Sequence, residues 1–194
     1  MKRVFCLIIC FVFCFMSACS PYKEINQDKR LEILDSGKYY CIYKENITKV
    51  LYVIYNSNGE VVLSEETERP LKISMLNDDV VDIEIGLGTG LSKHTYYSVS
   101  KDVFSQEFTY VLASFHEMIS YIDVPFEKPF ENRRVIVQNI FDKSLFYEEY
   151  ELNFSKIDTP VIQAEFLENA TLLQLTYLCG ESQTETSITL NLSK

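Results

Sequence analysis

Side chains suited to chemistry near neutral pH are few in this chain. There are two histidines, His94 and His116. Neither has a second ligand-type residue at the short spacing that a metal site on one element requires. His116 is followed by Glu117 in a segment that reads as a turn, where an exposed imidazole is ordinary. Asn77-Asp78-Asp79, with Asp82 and Glu84 close behind, is the stretch with most oxygen-ligand character. A calcium site takes about six to eight oxygens, and the glycine-punctuated loop of an EF-hand is missing. Asp82 and Glu84 also alternate with apolar residues, which assigns them to the solvated face of a strand. Glu148-Glu149 are neighbours, so a strand points them to opposite faces, and they cannot easily act as an acid–base pair. Gly86-Leu87-Gly88-Thr89-Gly90 invites a phosphate-loop reading, but such loops feed a helix N-terminus. The residues after it read as another strand, so the glycines are expected to make a hairpin loop. No Gly-x-Ser-x-Gly elbow and no His-Glu-x-x-His pair occurs. No catalytic residue, metal ligand or cofactor is therefore expected.

Two other residue classes stand out. Cys41 and Cys179 lie near the two ends of the region rich in strand formers, and a bridge between them would close most of that region. The alternative is two buried thiols that act as small hydrophobes. The tyrosine-containing doublets Tyr39-Tyr40, Tyr96-Tyr97 and Phe146-Tyr147 lie within strand-like runs. Neighbours on a strand face opposite ways, so one ring of each pair leaves the main core face. Tyr40, Tyr97 and Tyr147 are the candidates for an outward aromatic surface that would suit protein or sugar recognition.

The elements that must position these residues are short runs of Tyr, Phe, Val, Ile and Thr between turn signals. This is the pattern of an all-β chain. Strands are expected at 39–44, 49–56, 60–65, 71–76, 80–86, 94–98 and 108–113, then at 118–124, 134–141, 146–154, 161–167, 172–179 and 187–192. Asn56-Ser57-Asn58-Gly59 is a hairpin turn, because Asn and Gly tolerate positive φ. Val81, Ile83, Ile85 and Leu87 alternate with Asp82 and Glu84, and Leu173, Leu175, Tyr177 and Cys179 alternate with Gln174 and Thr176. A period of two with one polar face means antiparallel sheet. Phe104, Phe108, Val111, Phe115, Met118 and Ile122 follow a helical spacing instead. The residue types favour a strand, a turn near 114–117 and a second strand. Strand trios recur along the chain as successive meanders. The expected architecture is all-β, either a sandwich or a propeller-like array of three- to four-stranded units.

The chain has 194 residues, 47% of them hydrophobic, and a net charge of −10. This is a globular composition. The negative field opposes binding to nucleic acid. The N-terminus differs from the rest. Lys2 and Arg3 precede an apolar run from Val4 to Phe15, too short to cross a bilayer comfortably. Small residues follow, as in a secretory signal. Met16-Ser17-Ala18-Cys19 resembles the lipobox of bacterial lipoprotein signal peptides. The resemblance implies cleavage after Ala18 and diacylglycerol on the Cys19 sulfur, with Met16 standing where leucine is usual. Cys6, Cys10 and Cys14 would leave with the signal.

This gives a signal at 1–18, a polar tether at 19–36 and a single all-β domain at 37–194. The chain reads as a non-catalytic lipoprotein of the cell or outer membrane, facing away from the cytoplasm, whose β domain binds a protein or glycan. A wall- or carbohydrate-active enzyme with carboxylates on separate strands is one alternative. A structural subunit of an envelope complex is another.

Overall fold

The computed structural model describes residues 31–88, 90–125, 127 and 129–192. Every regular element among them is a β-strand, and the sixteen strands form four antiparallel sheets in chain order. The first sheet holds β1 (Glu32–Ser36), β2 (Tyr40–Lys44), β3 (Val50–Tyr55) and β4 (Val61–Thr67). The second holds β5 (Leu71–Met75), β6 (Val80–Gly88) and β7 (Leu91–Ser98), with the short β8 (Val103–Phe104) and β9 (Phe108–Thr109) both pairing with β7. The third holds β10 (Val111–Phe115), β11 (Met118–Asp123), β12 (Arg134–Asn139) and β13 (Tyr147–Glu151). The fourth holds β14 (Val161–Leu167), β15 (Leu172–Cys179) and β16 (Thr184–Asn191).

Each sheet is a meander, and each packs on the next. Tyr40, Ile42, Tyr52 and Ile54 of the first sheet share a core with Ile73, Val81, Ile83 and Tyr97 of the second. Val80, Tyr96 and Phe108 turn the other way and meet Ile119 of the third. Val135 and Val137 of the third join Phe166, Leu173, Leu175 and Leu190 of the fourth. The architecture is thus the array of small sheet units rather than a two-sheet sandwich. Strand alternation makes this possible, because odd and even residues of an inner sheet serve two different cores.

Side chains fix the turns. Asn56 Oδ1 accepts from the amides of Asn58 and Glu60, and Gly59 takes φ +77°, as the hairpin reading requires. Asn77 Oδ1 accepts from the amides of Asp79 and Val80 in the same manner between β5 and β6. Phe104 to Ile122 contains no helix, and a two-residue turn at His116-Glu117 joins β10 to β11. One expected strand is divided. Tyr110 adopts φ +53°, and the break separates β9, which pairs with the second sheet, from β10, which begins the third. The chain changes sheets at this bend. The polar segment ahead of the domain is also shorter than its composition suggests, since Glu32–Ser36 already form β1 and the compact unit begins at Glu32.

Cys41 and Cys179 are not bridged, and both thiols are free. Cys41 belongs to β2 in the first sheet and Cys179 ends β15 in the fourth. The intervening two sheets account for the outcome, since a disulfide needs Cα atoms within about 7 Å of each other.

A candidate binding groove beside β12 and β13

The array removes two of the three expected surface tyrosines. Tyr97 is fully buried, and Tyr40 is only 9% exposed. Both sit in the core between the first and second sheets. Tyr40 donates to Asp35 at 3.3 Å and Tyr97 to Asp102 at 2.6 Å, so their polar tips are also engaged. Burial, then the Asp102 hydrogen bond, raises the Tyr97 pKa. A doublet sends one ring outward only where a sheet buries a single face. Here the residues that leave one core enter another or are capped by a local carboxylate.

Tyr147 does reach the surface and is 42% exposed. It begins β13, on the same face as Glu149 and Glu151. Its hydroxyl donates to Glu149, and this bond, followed by partial burial, pushes its pKa up to about 12. Glu149 also pairs with Arg134 of β12, which donates to Asp123 of β11 at 2.6 Å. Three neighbouring strands are thereby tied on one face.

The same face runs into a groove of about 650 Å³. The loop between β11 and β12 forms one wall, through Phe130, Glu131 and Asn132. Arg134 and Glu151, cross-strand partners, form the floor, and Asn153 and Lys156 lie beyond β13. Arg133 holds the two loops together. It is 6% exposed, and its guanidinium donates to the carbonyls of Pro129 and Ile157. Burial lowers its pKa from the ordinary arginine value, though an arginine remains charged in any case. Its guanidinium also lies 5.0 Å from the Phe130 ring centroid, within cation–π range. Phe130, though 42% exposed, is braced in place by this contact.

Sequence reasoning missed Phe130 because it lies in a loop without alternation. The usable signal was local: an aromatic residue directly after Pro129 and followed closely by two arginines, Arg133 and Arg134.

The remaining sequence candidates lie elsewhere. His116 is in the β10–β11 turn at φ +53° and packs edge-on against Phe115, with ring centroids 4.3 Å apart. Asp82 is not on a solvated face. Its side chain is 14% exposed, and its carboxylate oxygens lie 3.0 and 3.2 Å from His94 Nδ1. The two belong to the face of the second sheet that turns toward the third, shared with the buried Val80 and Tyr96. Among the described residues, no group of three or more His, Cys, Asp or Glu side chains is placed to hold a metal ion. Cys19, and with it the whole segment that resembles a lipoprotein signal, lies outside the described residues.

No family model matches this chain, and no curated protein matches it.

Proposed function

We propose that the chain is a cell-envelope lipoprotein, anchored through Cys19, whose extracytoplasmic β domain binds a glycan or protein partner in the groove beside β12 and β13. The observation that carries the binding reading is the groove lining. An exposed ring at Phe130, braced by Arg133, lines the same groove as the polar groups of Arg134, Glu151 and Asn153. Aromatic bodies with a few fixed polar groups are the means by which clefts grip amphipathic ligands such as sugars. Both charge signs line the groove, which suits a neutral glycan better than a polyanion. The anchor rests on the lipobox resemblance. Two acyl chains hold a protein firmly where one is marginal, at about 0.8 kcal/mol per buried methylene. The net charge of −10 would give no help at an anionic membrane surface.

The test is co-sedimentation of the full chain with purified envelope glycan, in detergent. Phe130→Ala should weaken binding at least tenfold, since aromatic anchors commonly contribute about 2 kcal/mol or more. Equal binding by the wild type and the variant would remove the groove from the account.

A further inference from the structure

The buried Asp82–His94 pair has a third member. Ser92 lies two residues before His94 on β7, so both side chains share one face. Ser92 Oγ is 3.1 Å from His94 Nε2. Asp82, an acceptor when ionised, takes its hydrogen bond from Nδ1–H. This fixes the neutral imidazole in the tautomer whose Nε2 carries the lone pair. Ser92 Oγ–H must then donate to Nε2. The Tyr96 ring stacks against the imidazole at a 6.2 Å centroid distance and 19° between planes. The imidazole is therefore held at Nδ1 by Asp82 and flanked on its face by Tyr96, with its Nε2 lone pair accepting from Ser92.

Ser92 also borders a cavity of about 160 Å³. Leu91, Val111, Leu112, Ile122 and Val161 supply apolar wall. The volume equals that of about five waters at 30 Å³ each, enough for an acyl group of a few carbons. The cavity forms where the start of β7, the Tyr110 bend and the chain entering β14 come together.

From this geometry we propose that Ser92, His94 and Asp82 form a nucleophilic serine site that hydrolyses short-chain carboxylic esters. Ser92 Oγ bonds to the ester carbonyl carbon while its proton passes to His94 Nε2. Asp82 remains ionised and stabilises the imidazolium. The carbon–oxygen bond to the alcohol then breaks, and the alcohol leaves with the proton from His94. Water attacks the acyl group on Ser92, its proton passing to Nε2. When the acyl–oxygen bond breaks, Ser92 Oγ recovers a proton from His94. The balance is ester plus water to acid plus alcohol, with no further co-reactant.

The experiment treats the full chain, in detergent, with a fluorophosphonate and reads the intact mass and the modified peptide. Hydrolysis of p-nitrophenyl butyrate is followed in parallel. The site predicts one phosphonyl adduct, on Ser92. Ser92→Ala should abolish it and lower hydrolysis by about 10²-fold or more, with an unchanged circular dichroism spectrum. Asp82→Asn should slow both reactions. Absence of an adduct on the folded wild-type chain, or an adduct on another residue, would overturn the proposal, and this holds even if Ser92→Ala fails to fold. So would hydrolysis that is unchanged in a folded Ser92→Ala. Fluorophosphonate labelling needs no glycan and glycan co-sedimentation needs no ester, so failure of the groove and failure of this site are told apart.

Discussion

Asp79 shows how one side chain can order several segments. Its carboxylate accepts from the Ser100 amide at 2.7 Å, the Ser98 hydroxyl at 2.8 Å and the Ser100 hydroxyl at 2.9 Å. It thereby joins the β5–β6 turn to the end of β7. Burial by itself would raise the Asp79 pKa, but the bonds from Ser98 and Ser100 outweigh it, and the pKa falls below the usual carboxylate value. A depressed folded pKa contributes stability that is fully present above the unfolded value, about 3.9. That contribution is lost as pH falls through the lower folded value. Asp79→Ala should cost about 2 kcal/mol at neutral pH, the range for hydrogen bonds to a charged group. The difference from wild type should shrink as pH drops below about 4, as read by urea unfolding across a pH series. The residue was legible in the sequence only as part of an acidic run. Its partners lie some twenty positions away and become visible only once β6 and β7 are paired.

At the scale of the strand, alternation reports which residues share a face but not what covers that face. Val81, Ile83 and Ile85 were legible as one side of β6, and they do pack toward the first sheet. Asp82 on the other side looked solvated because charged residues usually are. The third sheet covers that side, and His94 satisfies the carboxylate. The pair could have been placed from register, because the Gly86–Gly90 hairpin sets Glu84 opposite His94 and Asp82 one diagonal step away. Tyr97 was misplaced for the same reason, since its second face belongs to another core. The split at Tyr110 had no sequence signal, as a tyrosine at positive φ is unusual. The fourth sheet allows a direct check on packing. Leu173 is fully buried and shares a core cluster with Val135 and Val137 of the third sheet. Leu173→Ala should lower stability by about 2–5 kcal/mol, measured by denaturant unfolding with an unchanged spectrum. A cost within 0.5 kcal/mol, the range of a surface change, would mean that the third and fourth sheets do not pack as described.

Across the whole molecule, sheets in chain order make most contacts local in sequence, each meander closing on itself before the next is laid on it. Such an array can be built up unit by unit. Its interior sheets have much of both faces covered, leaving loops, outer strands and the open end of the third sheet to meet a partner. Both candidate sites follow from this. The groove lies where the β11–β12 loop meets the chain beyond β13, and Ser92 lies where a sheet edge meets the bend into the next sheet. On the proposed reading of Met16-Ser17-Ala18-Cys19 as a lipoprotein signal, the N-terminus sets the domain's position in the cell. The proposed anchor is Cys19. Its most direct test is metabolic labelling with a radioactive fatty acid, followed by fractionation of cells that express either wild type or Cys19→Ala. The wild type should carry label and sediment with membranes, and Cys19→Ala should carry none and leave the membrane fraction. A Cys19→Ala chain that still labels and still sediments with membranes would contradict it.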